Sequence, residues 1–165
     1  MRLKTHVAVF GLLVCASVAQ AQIKAAGALK CDKPDVTHKV DVDSTHSFLV
    51  NQSKCSPDKD KPFEIGGVKS GSAVSTDATE VQGNKASFHG YYVDTMENGD
   101  KGEYRFQGSG TMKDGVMQSA DDSWTLVRGT GKLKGAKGKG TCKGAGTAEG
   151  SVAWECAGEI TLASK

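Results

Sequence analysis

The sequence predicts an all-β protein whose antiparallel strands close into a barrel. Three observations point there. Short runs alternate apolar and polar residues with period two, Gly, Asn, Asp and Ser cut these runs apart, and helical periodicity never persists. Many short strands with glycine-rich turns fit a sandwich or a closed barrel. Closure is favoured because it removes the exposed strand edges that a chain without an evident partner must otherwise protect.

The 165-residue chain opens like a secretory signal. Arg2 and Lys4 precede an apolar run from Val7 to Val18, which is short for a membrane span, and Ala19-Gln20-Ala21 supplies the small-x-small cleavage pattern. Cleavage after Ala21 would remove two basic residues and no acid. The formal net charge of +2 then belongs to the leader, and a nucleic-acid binder is not implied. The expected organisation is a leader at 1–21, a mobile start at 22–33 and a single barrel domain at 34–165, exported to the periplasm or the cell exterior. No stretch after the leader is apolar enough to span a bilayer.

Four cysteines follow the leader: Cys31, Cys55, Cys142 and Cys156. An even number in an exported chain favours two disulfides, and no pair has the close spacing of a zinc site. Three pairings are open on paper. Cys142 and Cys156 flank "KGAGTAEG", a natural hairpin connection, so they are expected to face each other on adjacent strands. Cys31 would then pair with Cys55 and tie the start to the polar loop "SKCSPDKDKP" at 53–62.

In chain order, residues 36–42 alternate, placing His38 with Val36 and Val40 on an inward face. In "KASFHGYYVDTMENGDKGEYRFQG" the pair Asn98-Gly99 suits a two-residue hairpin turn. In that register Val93 faces Tyr104, Tyr91 faces Phe106 and His89 faces Gly108, all pointing inward, while Tyr92, Asp94, Glu103 and Arg105 point to water. A calcium-loop reading of this segment fails, because Met96 and Arg105 stand where acidic ligands are needed. Residues 151–162 alternate most cleanly, with Val152, Trp154, Cys156, Ile160 and Leu162 on one face.

The stretch "GTGKLKGAKGKGTCKG" at 129–144 invites a phosphate-loop reading. The reading fails, since Gly138-Lys139 is followed by Gly140 rather than Ser or Thr and no helix former comes next. Arg128 to Lys143 holds no acid, so Lys132, Lys134, Lys137 and Lys139 could attract anionic glycans weakly. No nucleophile elbow occurs and no cofactor motif is present. The candidate interior residues are His89, Tyr91, Tyr104, Phe106, Trp124 and Trp154: an aromatic face with few polar points, suited to a small apolar or amphipathic ligand. An inward His89 would also suit acid–base chemistry.

Residues 129–138, "GTGKLKGAKG", resemble the "GTGKFxGAxG" signature of the allene oxide cyclase-like, or dirigent-like, barrel superfamily. Asn98-Gly99-Asp100 before Tyr104 and Phe106 is similar to the turn that accompanies it. The resemblance covers roughly residues 85–143. It implies an antiparallel barrel of about eight strands with a central cavity, and structural roles for Gly129, Gly131, Gly135 and Gly138. The plant members act on a fatty-acid-derived epoxide or steer phenolic coupling, but their catalytic residues have no match here. A ligand-holding barrel without catalysis is therefore the leading expectation, with a cyclase- or isomerase-like enzyme and a glycan-binding envelope protein as alternatives.

Overall fold

The computed structural model describes residues 22–164, so the expected leader lies outside the described residues. Ten strands carry the chain: β1 Gln22–Cys31, β2 Val36–Asp41, β3 His46–Pro57, β4 Glu64–Ile65, β5 Val68–Gln82, β6 Lys85–Met96, β7 Lys101–Lys113, β8 Val116–Gly129, β9 Lys137–Gly146 and β10 Val152–Thr161. All pairings are antiparallel, and eight strands form a ring in the order β3-β1-β10-β9-β8-β7-β6-β5, with β5 returning to β3. β2 extends along β3 beyond the end of β1, and β4 sits on β5.

The first of the described residues correct the sequence reading. Residues 22–31 are a ring strand rather than a mobile segment, paired with β10 over ten positions. Leu29, Cys31 and Ala25 point inward on it while Lys24 and Lys30 face water, an alternation that small residues had hidden. Likewise Ser53–Pro57 of the expected polar loop is the end of β3. The loop beyond folds under β1, where Ala28 donates its N–H to the Lys61 carbonyl and the Phe63 backbone lies against Gly27.

The seam between β1 and β3 is the narrowest joint in the ring. Only Leu29↔Pro57, Lys30↔Ser56 and Cys31↔Cys55 are in register there. A disulfide joins Cys31 to Cys55 at this joint, and a second joins the directly opposed Cys142 and Cys156 of β9 and β10. Both bridges are the expected pairs, and they indicate an oxidising compartment. Among the described residues no helix is long and apolar enough to cross a membrane.

The β6–β7 turn changes which face is inside. Met96 accepts from the Gly99 N–H and donates to the Asp100 carbonyl, and Gly99 has φ +84°. Asn98 does not take positive φ. The loop is therefore three residues, Glu97-Asn98-Gly99, closing with a left-handed glycine, rather than the two-residue turn expected. One extra loop residue shifts the register by one and exchanges the two faces of β6, while Tyr104 and Phe106 of β7 stay inward as expected. Tyr92 now faces Tyr104 and Gly90 faces Phe106. His89 and Tyr91 lie on the outer face, Tyr91 at 50% exposure, while Asp94 is buried at 2%. His38 is also outside, because β2 is exposed along its whole length.

The glycine-rich stretch closes one end of the ring. Gly131–Leu133 forms a single 3-10 turn between β8 and β9, burying Leu133. It is latched to the β6–β7 turn: Lys132 donates its N–H to the Asp100 carboxylate, and Lys101 donates its N–H to the Thr130 hydroxyl. Gly131 has φ +50°, and a Cβ there would collide with that carboxylate. Gly129 lies against Leu133 and Gly138 under Ile160, close approaches that need the absent side chain. Gly135 also takes positive φ. Met96, Leu126, Leu133, Ala136 and Ile160 fill this end as the apolar core.

Candidate ligand-binding cavity

The rest of the ring is hollow. A cavity of about 460 Å³ runs from the plugged end toward the loops at the opposite end, where Lys33, Pro34, Gly115, Val116 and Gly150 border it. Its size falls within the range of small-molecule sites.

Two unlike walls face each other. β6, β7, β8 and β10 contribute an aromatic wall of Phe88, Tyr92, Tyr104, Phe106, Trp124 and Trp154. The rings meet edge to face or tilted: Tyr104–Trp124 at 5.6 Å, Tyr92–Tyr104 at 6.1 Å, Phe88–Trp154 at 6.1 Å and Phe88–Phe106 at 6.3 Å. Such tilted and edge-to-face contacts between rings are mutually stabilising. Glycines opposite these rings make room for them, as Trp154 covers Gly144 and Trp124 covers Gly140. The β3–β5 wall is smaller and more polar, with Asn51, Ser53, Ser75, Asp77 and Thr79 beside Leu49 and Val81. Asp77 accepts from the Asn51 amide at 3.1 Å and from the Thr79 hydroxyl at 2.6 Å.

Two further carboxyl groups reach the cavity. Asp94, deep near the plugged end, accepts from the Ser70 hydroxyl at 2.7 Å. Burial pushes its pKa up to about 6, with the Ser70 hydrogen bond acting the other way. Asp122 stands on β8 between Ala120 and Trp124 in the inward phase, and its buried Oδ1 has no partner. Burial likewise raises its pKa to about 6; the Cys142 backbone N–H lowers it and the neighbouring Asp121 raises it. Among the described residues the Tyr104 hydroxyl is the other buried side-chain polar atom without a partner. Burial, then the Asp94 charge, raises the pKa of Tyr104, and the same two causes act on Tyr92.

Of the residues expected to line the interior, Tyr104, Phe106, Trp124 and Trp154 do so together, while His89 and Tyr91 do not. Sequence reasoning missed Phe88, Tyr92 and Asp94 through the one-residue register error. Asp122 was findable, since it shares the alternation phase of Ala120, Trp124 and Leu126. The lysines considered for glycan binding lie outside. Lys139 stands opposite Glu159 and Lys132 lies beside Asp100, and at the end of the same stretch Lys143 is 3.5 Å from Asp121, so acids dilute the patch.

No protein-family model matches the chain, and no curated protein matches it.

Proposed function

We propose that the chain is an exported barrel protein of the allene oxide cyclase-like type that holds a small amphipathic molecule inside its ring. The observation that carries this reading is the unfilled interior of about 460 Å³, with an aromatic wall on one side and hydrogen-bonding groups on the other. Apolar surface supplies the affinity there, and the few polar groups fix orientation. The leader-like segment and the two disulfides support export, and the "GTGKLKGAKG" plug with its Asp100 latch supports the family. The enzymatic alternative loses its named base, because His89 faces water. The glycan alternative is weakened by the acids that interleave its lysines.

The test uses N-phenyl-1-naphthylamine, a neutral dye that brightens in apolar sites. Saturable binding of one dye per chain is expected, with energy transfer from Trp124 and Trp154. Ser75→Phe, which adds bulk to the cavity wall at a residue without a side-chain partner, is expected to weaken binding by roughly tenfold while the fold persists. Unsaturable binding, or binding indifferent to Ser75→Phe, would sink the proposal.

A further inference from the structure

The cavity's charges are one-sided. Three carboxyl groups face its interior, Asp77 from β5, Asp94 from β6 and Asp122 from β8. The basic residue bordering it, Lys33, sits at the mouth beside Asp32, with its side chain over Gly150. The elements that complete the wall contribute no cation: β1 gives Leu29 and Cys31, β3 gives Leu49, Asn51 and Ser53, β7 gives Tyr104, Phe106 and Met112, and β9 and β10 give cysteines, a glycine, Val152 and Trp154. A carboxylate removed from water needs a partner of opposite charge or several hydrogen bonds. Asp77 has two side-chain donors, Asp94 has one, and Asp122 has the Cys142 backbone N–H while its Oδ1 has none. The Tyr104 hydroxyl, on a residue only 5% exposed, is unpaired as well and can accept a hydrogen bond.

The aromatic wall has the matching property. The faces of Trp and Phe rings attract cations, most strongly where water is excluded. Phe88, Phe106, Trp124 and Trp154 surround the same space that the carboxyl groups face. We infer that the cavity is built for an organic cation: an ammonium group on an apolar body, with the charge set toward Asp122 and the body against the rings. The inference rests on the ligand-holding reading and names the chemical class of its ligand. A neutral ligand would leave the acidic interior uncompensated, and an anionic one would be repelled by it.

Ionisation of the two raised carboxyls gives the interaction a pH signature. Asp94 and Asp122 carry little charge below about pH 5 and gain it as pH rises through about 6. A cation binds the ionised forms better, so its affinity increases across that window, whereas that of a neutral molecule does not.

Three probes of similar shape separate the possibilities: 2-phenylethylammonium, 2-phenylethanol and 3-phenylpropionate. Fluorescence reads the site directly, because the chain's two tryptophans both line it. Near neutral pH the ammonium probe is expected to bind at least about tenfold more tightly than the alcohol, and the propionate most weakly. At about pH 4.5 the preference over the alcohol is expected to shrink to roughly threefold or less. Asp122→Asn is expected to remove most of the preference, weakening ammonium binding far more than alcohol binding. If alcohol and propionate bind as tightly as the ammonium at neutral pH, the cation inference is overturned and the ligand-holding reading stands. If no probe of any charge binds, both fall. The comparison among probes is made on the unaltered protein, so it survives even if the variant does not fold.

Discussion

Replacing Cys31 and Cys55 together by serine is expected to destabilise the protein by about 3.5 kcal/mol and to weaken ligand binding at temperatures where the chain is still folded. The stability term comes from the 24-residue separation that the bridge closes, through the chain entropy it removes from the unfolded state. For a domain of this size it corresponds to a fall of about 10 °C in Tm. The binding term comes from position. Three register pairs close the ring between β1 and β3, so the bridge holds a joint that the backbone ladder holds poorly. Removing Cys142 and Cys156 instead is expected to cost about 3 kcal/mol for its 14-residue separation. That bridge spans β9 and β10, which pair over ten positions, and the ring should stay closed without it. Denaturant unfolding of the two double variants, with dye affinity measured on each, checks both halves. Equal loss of affinity in the two variants would show that the seam is not the weak joint.

Stability is expected to fall as pH rises from about 5 to 7. The folded pKa of Asp94 and of Asp122 is raised from 3.8 to about 6, so the folded state holds these protons more tightly than the unfolded state does. Their contribution is fully present below the unfolded value and is lost as pH climbs through about 6. Each shift of about two units corresponds to at most about 3 kcal/mol, with Asp94 the better shielded from water. Asp43, Asp100 and Glu149 act in the opposite sense. Hydrogen bonds hold their pKa values down, led by the Thr45 backbone N–H at Asp43, the Lys132 backbone N–H at Asp100 and the Thr147 side chain at Glu149. Stability from these three is lost only as pH falls below the ordinary carboxylate range, which leaves the window above pH 5 to the raised pair. Asp94→Asn combined with Asp122→Asn is expected to flatten the fall and to be more stable than the parent at neutral pH, since an amide can still accept from Ser70. A parent whose stability climbs across this window, or a double variant that follows the parent, would contradict the assignment.

The sequence disclosed the parts of the fold that depend on local alternation. The last strand was legible because Val152, Trp154, Cys156 and Ile160 recur at period two against Ala153, Glu155 and Glu159. That phase also paired Cys142 with Cys156 once a hairpin was placed between them. Where the signal was weak, the reading slipped. Alanines, a glycine and two lysines in β1 gave too little contrast to mark a strand, although β10 holds it along its full length. At Asn98-Gly99 the residues favour both a two-residue and a three-residue turn. In the structure Gly99 takes positive φ and Asn98 does not, and that turn decides whether His89 and Tyr91 or Phe88, Tyr92 and Asp94 enter the cavity. The hollow itself was expected only through the family resemblance, because local alternation does not encode it. It depends on β3 meeting β5 and β1 across long stretches of chain, and on large rings being set over Gly140 and Gly144 rather than interlocking at the centre.

The central claim is that this interior receives a ligand, and the two indole groups report on it most directly. In a nitrogen–proton correlation spectrum the chain gives one side-chain indole signal each for Trp124 and Trp154. Titration with 2-phenylethylammonium or with N-phenyl-1-naphthylamine is predicted to move both signals along one saturable curve with a shared Kd, while the ring of His89 on the outer face stays in place. Indole signals that remain fixed while His89 and its outer-face neighbours shift would place the binding on the surface and contradict the account.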